Sequence, residues 1–424
     1  MGAFGTNDGR EMTDASGWGQ GRRLLYVVNE SFFFYSHRMP IARAARDAGF
    51  DVHVAAPDDH VWAASGFDVA TLEENGLTFH AIPLNRRGLN PLQDLRTIWA
   101  LWRLYRRLRP SLLHHLTIKP VLYGGIVSRF LPVTGVVNAV TGLGHLFTSA
   151  EPHLRLLRWL IVRLYRAAMR GENCRVIVQN LDDGEQLLRK HAVSEGRLQL
   201  VQGSGVDMSE FPASPETDDT PLVILPARMI WAKGIGEFVE AARTLRGEGI
   251  SARFAILGDA KDGYAGAVPR QALQAWHDEG VIEWWGRREN MPEIFRSCHI
   301  VCLPTKYGEG VPRVLIEAAA CGRAAVTSDV AGCRDIVRHG VNGLLVRPGD
   351  AGDLTAALRK LLTDADYRRR LAAAGRDIAV DEFSEERVIG RTMAIYRELL
   401  GLPEPGSADV QCSGASASRS SAST

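Results

Sequence analysis

Ile300-Val-Cys-Leu-Pro-Thr-Lys-Tyr-Gly-Glu-Gly-Val-Pro-Arg-Val-Leu-Ile-Glu317 reads as three pieces in order. Ile300–Leu303 is a short run apolar on both faces, the pattern of a strand buried inside a parallel sheet. Gly308 and Gly310 punctuate the loop that follows. A helix then opens with Pro312 near its first turn, where the missing proline N–H costs nothing. Free backbone N–H groups at such a helix start, aided by the helix dipole, make a pocket for a phosphate or a sugar hydroxyl. Glu309 lies in the loop and Glu317 about two turns into the helix. At that spacing two carboxylates can face one crevice, each accepting paired hydroxyls of a polyol. The plain alternative makes Glu309 a cap and Glu317 a solvated helix residue.

The same strand–helix alternation runs through the chain. Strands are expected at Leu24–Val28, Asp51–Ala56, Thr78–Leu84, Leu112–Leu116, Val136–Val140 and Val176–Gln179. A second series follows at Leu222–Pro226, Arg253–Leu257, Ile282–Trp285, Ile300–Leu303, Ala324–Thr327 and Gly343–Val346. Helical patterns such as Pro91–Leu108, Glu237–Leu245 and Pro312–Ala320 lie between them. Apolar strands separated by helices mean parallel sheets covered on both sides. The polar stretch Pro212–Thr220 divides the two series, so the fold class is α/β with two doubly wound, Rossmann-like domains. The expected division is an N-terminal domain over 22–212, a C-terminal domain over 213–380 and a last helix within 381–401. The ends, 1–21 and 402–424, are Gly-rich and Ser/Ala/Gly-rich and are expected to be disordered. Where the last helix packs is open. In open α/β sheets ligands bind beyond the carboxyl ends of the strands, so the site belongs in the cleft between the domains.

Composition narrows the function. The 424 residues are 46% hydrophobic and 23% charged, with a net charge of +1, so no global field draws nucleic acid. Six cysteines, none in a C-x-x-C pair, argue for a reducing compartment and against a structural zinc site. The first twenty residues carry no apolar h-region and no window approaches a membrane span, so a cytoplasmic location is expected. Asp364-Ala-Asp366 falls between two helical patterns and reads as a helix cap, so no metal and no cofactor is assigned.

Pro226-Ala-Arg-Met-Ile-Trp-Ala-Lys-Gly234 ends the first strand of the second domain. Arg228 and Lys233 flank a loop there and would converge on a diphosphate, Arg as a fork of donors and Lys as a point charge. Two exposed surface cations are the alternative. Gly258 and Gly286, at the ends of the next two strands, would let backbone approach a ligand closely.

Together these segments resemble the family 4 retaining glycosyltransferases of GT-B architecture. The matching motifs are R-x4-K-G at Arg228–Gly234, E-G-x-P-x4-E at Glu309–Glu317, and the tail from Gly332 through Asn342-Gly-Leu-Leu-Val-Arg-Pro-Gly-Asp350. Gly203-Ser-Gly-Val-Asp207 with Phe211 looks like the family's domain linker. The resemblance spans roughly residues 22–400 and implies a nucleotide-sugar donor held mainly by the second domain. It implies that Glu317 holds the ribose hydroxyls, Arg228 and Lys233 the diphosphate, and Glu309 the donor sugar. The backbone of Gly310, Val311 and Pro312 would contact sugar and phosphate, and the loop Arg287–Met291 would border the base, here expected to be uracil. Retention without a carboxylate nucleophile implies front-face attack, in which the leaving phosphate oxygen takes the acceptor's proton.

Two departures refine the resemblance. Asn29-Glu-Ser-Phe-Phe-Phe-Tyr-Ser-His-Arg38 stands where many members carry a Gly-Gly pair, and Thr141-Gly-Leu-Gly144-His145 where many place a histidine. Both departures, together with T-x-K-P at Thr117–Pro120, are similar to bacterial lipid-linked oligosaccharide transferases. His37, Arg38 and Lys119 follow strand ends that open on the cleft and are candidates for an acceptor's pyrophosphate, with Thr141 and Gly142 also on the acceptor side. His37 reads equally as a structural histidine, and Phe32–Phe34 as a lipid-tail path or as packing between domains.

Leu95–Leu108 and Leu154–Arg170 interleave arginines with Trp99, Trp102 and Trp159. Such basic amphipathic helices suit an anionic membrane interface, although each alone also fits an ordinary outer helix. RNA would suit the arginines too, but no motif supports it. The expectation is a glycosyltransferase at the inner face of the plasma membrane, acting on a lipid-linked or saccharide acceptor in bacterial glycan synthesis. The rivals are a non-hydrolysing nucleotide-sugar epimerase and a non-catalytic nucleotide-sugar-binding subunit.

Overall fold

The computed structural model describes residues 17–57, 69–85, 90–143, 155–260 and 266–403. Gly144, His145 and almost all of the terminal segments lie outside these residues.

The first half alternates β1 (Arg23–Val27), α1 (Ser31–Asp47), β2 (Asp51–Ala56), α2 (Val69–Glu74), β3 (Thr78–Ala81), α3 (Pro91–Leu108) and β4 (Leu112–Leu116). It continues with α4 (Ile118–Ser128), β5 (Gly135–Val140), α5 (Arg155–Met169), β6 (Cys174–Val178), α6 (Leu181–Arg189) and β7 (Leu198–Leu200). The second half runs β8 (Leu222–Pro226), α7 (Ile235–Gly247), β9 (Arg253–Leu257), α8 (Arg270–Asp278), β10 (Glu283–Gly286), α9 (Met291–Ser297) and β11 (Ile300–Leu303). Then follow α10 (Arg313–Ala320), β12 (Ala324–Ser328), α11 (Cys333–Ile336), β13 (Gly343–Val346), α12 (Ala351–Thr363), α13 (Ala365–Phe383) and α14 (Glu385–Leu399). The first sheet has seven strands in the order β3-β2-β1-β4-β5-β6-β7 and the second six, β10-β9-β8-β11-β12-β13. All pairings are parallel, with Leu25 between His53 and Leu113 and Ile300 between Val223 and Ala324.

Period-two alternation splits each strand between two cores. Leu24 and Tyr26 face a core shared with α1 and α14, while Leu25 and Val27 face one shared with α3, α4 and α5. In the second sheet Val223 and Leu225 face α7 and α12, and Leu222 and Ile224 face α9 and α10. Each fully buried Leu or Val contributes on the order of 1.5–3 kcal/mol, which is why apolar residues dominate these runs.

One expected bound is corrected, one further strand is added and one open point is decided. β3 stops at Ala81 rather than Leu84, since Pro83 has no N–H for the ladder, although Ile82 and Leu84 remain buried. The three-residue β7, too short to show a period, closes the edge of the first sheet. The third concerns α14, which leaves the second domain and packs on the first. Val388, Met393, Ile395, Tyr396 and Leu399 enter the core around β1 and α1. The Tyr396 hydroxyl lies 3.0 Å from that of Tyr26 and 2.6 Å from His114 Nδ1.

The chain therefore crosses between the domains twice, and the crossings bond to each other. Val206 N–H donates to the Phe383 carbonyl at 3.1 Å, and Glu385 N–H to the Val206 carbonyl at 3.0 Å. The linker after the first crossing is stapled to the second domain. Buried Arg323 donates to the Ser214 carbonyl at 2.8 Å and its Oγ at 2.7 Å, and Arg368 pairs with Glu216 at 2.8 Å.

Candidate active site

In each sheet the strand order reverses beside a central pair, β1/β4 and β8/β11, and the carboxyl ends of these pairs carry the candidate residues. β8 delivers Arg228 and Lys233, and β11 delivers the Glu309 loop. The Lys233 ammonium meets Glu309 Oε1 at 2.5 Å, with Lys233 only 6% exposed. A buried ion pair needs further contacts to offset its desolvation. Here the Tyr307 ring faces Lys233 Nζ at 5.6 Å, and Arg228 Nη2 donates to the Tyr307 hydroxyl at 3.4 Å from a more exposed position. Cation and carboxylate that the chain separates by 76 positions thus form one unit at the cleft.

Close backbone approaches hold this loop. Glu309 N–H donates to the Ala331 carbonyl at 3.0 Å. Gly332 has φ +81°, and a Cβ there would run into the Gly310 carbonyl. Gly310 faces the first domain, where a Cβ would meet Gln179 Oε1 and the Thr141 carbonyl. Asn180 Nδ2 donates to the Glu309 carbonyl at 2.9 Å, and Gly142, at φ +133°, faces the Gly310 N–H. Thr141 and Gly142 therefore border the catalytic-loop candidate itself. Gln179 and Asn180 were not singled out from sequence; their only signal is a position at the end of β6.

Pro312 is the N-cap of α10, with Val311 buried behind it. Glu317 lies on the first turns of α10, where burial raises its carboxyl above the usual range, opposed by the nearby Arg313 charge. Arg313 Nε donates to Glu317 Oε1 at 2.8 Å, an i,i+4 pair. Arg313 was also missed, although its spacing from Glu317 is visible in sequence. The other wall of the second domain has Gly258 at φ +149°, where a Cβ would strike the Ala227 carbonyl. Arg287 N–H donates to Asp259 Oδ1 at 3.1 Å, and Met291 begins α9. The Arg287 guanidinium also lies 5.9 Å from the Phe32 ring of the first domain.

On the acceptor side, α1 carries Phe32, Phe33, Phe34, His37 and Arg38. Phe34 enters the core, Phe33 stacks on His37 at 4.7 Å, and Phe32 meets Arg287 across the cleft. Burial, with help from the Arg313 and Arg38 charges, pushes His37 down to about 3, so it is neutral at physiological pH. It can offer a hydrogen bond but no charge. Arg38 is 4% exposed, and its Nε has no hydrogen-bond partner among the described residues. Burial lowers its pKa to about 10, so the guanidinium stays charged. Lys119 is engaged, 2.9 Å from Asp94. Thr117, which precedes it, has φ +73° and a buried hydroxyl without a partner among the described residues. Strain in a non-glycine residue of this kind marks a place where surrounding structure imposes the geometry.

Asp364 caps α13 by accepting from Tyr367 N–H at 2.8 Å. Among the described residues no three His, Cys, Asp or Glu side chains gather as a metal-binding group, and no helix is long and apolar enough to cross a membrane.

Residues 23–180 match the glycosyl transferase 4-like model and residues 220–364 the model of glycosyl transferases group 1. The chain is 25% identical over 391 residues to the N,N'-diacetylbacillosaminyl-diphospho-undecaprenol alpha-1,3-N-acetylgalactosaminyltransferase of Campylobacter jejuni, covering 89% of this chain and 99% of that one. It is 23% identical over 393 residues to the putative glycosyltransferase EpsD of Bacillus subtilis, covering 88% and 96%. Among solved structures, Alr3699/HepE of Anabaena in complex with UDP and glucose superposes with a TM-score of 0.69 at 19% identity, covering 89% and 99%. A glycosyltransferase of Rickettsia africae gives a TM-score of 0.72 at 16% identity, covering 89% and 98%. With a family model on each of its two parallel-sheet domains and GT-B enzymes among its structural neighbours, this chain belongs to the group 1, type-4-like glycosyltransferases.

Proposed function

We propose that the chain is a retaining, metal-independent hexosyltransferase that moves a sugar from a UDP-linked donor to a lipid-linked diphosphate acceptor in bacterial glycan synthesis. The observation that carries the reading is the buried Lys233–Glu309 pair at the mouth of β8 and β11, with Arg228 beside it and Glu317 on the helix that follows.

A nucleoside diphosphate leaves only if its growing negative charge is stabilised. Lys233, Arg228 and the N–H groups at the start of α10 supply that stabilisation where the charge develops. Glu309 takes the hydroxyls of the donor sugar and Glu317 those of the ribose. The bond between the anomeric carbon and the diphosphate oxygen breaks, and the acceptor hydroxyl oxygen bonds the same carbon from the same face. Its proton passes to the departing oxygen. On the acceptor side, buried Arg38 provides the fixed charge and neutral His37 a hydrogen bond for a pyrophosphate.

The lipid-linked acceptor is supported by the full-length likeness to the Campylobacter enzyme, whose name places a diphospho-undecaprenol in its acceptor. UDP is supported by the HepE complexes. An anionic membrane surface fits α3 and α5, which lie on the same face of the first sheet with α4 between them. Trp99 is 57% and Trp159 54% exposed, and each carries an arginine guanidinium 4.5 Å from its ring.

The test combines purified protein, native membranes and labelled nucleotide sugars, with label counted in the organic-extractable fraction. Transfer from one UDP-sugar, absent with Glu309→Ala, is the expected result. Tight UDP binding with no label in lipid would remove the lipid-linked acceptor from the reading.

A further inference from the structure

α1 contains an interior proline, Pro40. In a regular helix the N–H of residue 40 would close on the carbonyl of Ser36, and proline has no N–H to do so. The Ser36 carbonyl is thereby left an open acceptor within a helix, on the wall of the cleft. Arg313 Nη1, from the opposite domain, donates to it. The same guanidinium donates through Nε to Glu317 Oε1 at 2.8 Å. One planar group thus joins the carboxylate of α10 to the backbone of α1, next to His37 and Arg38. A lysine, with a single nitrogen, cannot make both contacts in this fork geometry.

We propose that Arg313 is a positioning residue that couples occupancy of the Glu317 pocket to the acceptor-side helix α1, through the carbonyl that Pro40 leaves open. Arg313 does not touch the reacting atoms. A nucleotide whose ribose fixes the Glu317 carboxylate also fixes Arg313, and so lowers the entropic cost of its bond to Ser36. Donor binding then orders the helix that presents His37 and Arg38, and by linkage an ordered α1 favours the donor equally. The inference rests on the donor-site reading above, and the experiment separates the two.

Hydrogen–deuterium exchange with UDP as the probe reads both ends of the coupling. In the wild type, UDP should slow exchange in the loop and helix 308–317 and also in the amides of Phe34–Arg38, the latter by about fivefold or more if the coupling has the usual size. Arg313→Lys should keep the first protection and lose the second. Pro40→Ala should reduce the second protection by a different route, because the new N–H closes on Ser36 and competes with Arg313 for its carbonyl. That substitution favours the helix, so misfolding cannot account for the loss. Protection of α1 that persists unchanged in both variants, or that is missing from the wild type while 308–317 is protected, overturns the coupling. Absence of protection at 308–317 in the wild type overturns the donor-site reading, and the coupling with it.

Discussion

Glu309 and Glu317 carry the same charge eight positions apart, yet their surroundings differ, and the proposed roles predict different effects of removing them. Glu309 already has a cation, Lys233, at 2.5 Å. Glu309→Ala should lower kcat by roughly 10²–10³, the usual effect of deleting one well-placed polar group, while UDP still binds. The variant also strands the Lys233 ammonium, which a diphosphate would then satisfy. UDP should therefore raise its Tm by more than it raises that of the wild type, read by thermal shift; an equal rise argues against Lys233 as a phosphate contact. Glu317→Ala should instead weaken UDP binding by roughly 10–100-fold, the worth of a charged hydrogen bond or two, measured by calorimetry. Both glutamates and both cations are legible in the sequence as residue types, three in the loops that follow strands and Glu317 on the helix beyond. Their pairing is not, because Lys233 and Glu309 come from different strands. The same holds for Lys119, whose partner Asp94 sits at the start of another helix.

At the scale of elements, the Glu309 loop depends on Gly332, which the sequence marks only as the start of the family-like tail. Gly332→Ala would need φ +81° and would drive its Cβ into the Gly310 carbonyl. The loop must move, so transfer should fall below detection while circular dichroism stays native. Normal turnover in this variant would show the loop to be freer than its packing implies. The paired crossings form a second element with a measurable property. Burial and the neighbouring Asp207, Glu386 and Glu210 raise the Glu385 carboxyl from 4.5 to about 7, opposed by Arg313. A raised carboxyl pKa means that the folded state binds the proton more tightly than the unfolded one. The stabilisation is fully present below the unfolded value and is lost as pH rises through about 7. Urea unfolding should thus show stability declining from pH 4.5 to 7.5 more steeply in the wild type than in Glu385→Gln; parallel profiles would contradict the raised Glu385 carboxyl.

For the whole molecule, two exposed tryptophan–arginine helices on one face of the first domain form a surface that its packing does not require. The buried stripe of α3, from Leu101 through Leu104, Tyr105 and Leu108, already accounts for its place in the fold. Each near-surface cation adds about 1 kcal/mol at an anionic bilayer. Neutralising Arg103, Arg106 and Arg163 together, each to Gln, should weaken binding to vesicles containing phosphatidylglycerol by roughly 100-fold. High salt should weaken wild-type binding as well. Co-sedimentation measures both, and salt-insensitive binding would point to an apolar contact alone.

The sequence by itself determined the two parallel sheets, most of their strands to within a residue or two, and the four charged side chains of the candidate donor site. These follow from local rules: apolar runs of strand length, glycine at tight turns and proline at a helix start. Only the tertiary structure decided where α14 packs, since its apolar stripe would suit either domain and only the course of the second crossing brings it beside Tyr26 and His114. It likewise decided which cation meets which carboxylate, and that Pro40 opens a carbonyl for Arg313. An unpaired backbone acceptor can be read from one proline, but the donor that fills it is 277 positions away and comes within reach only when the two domains face each other.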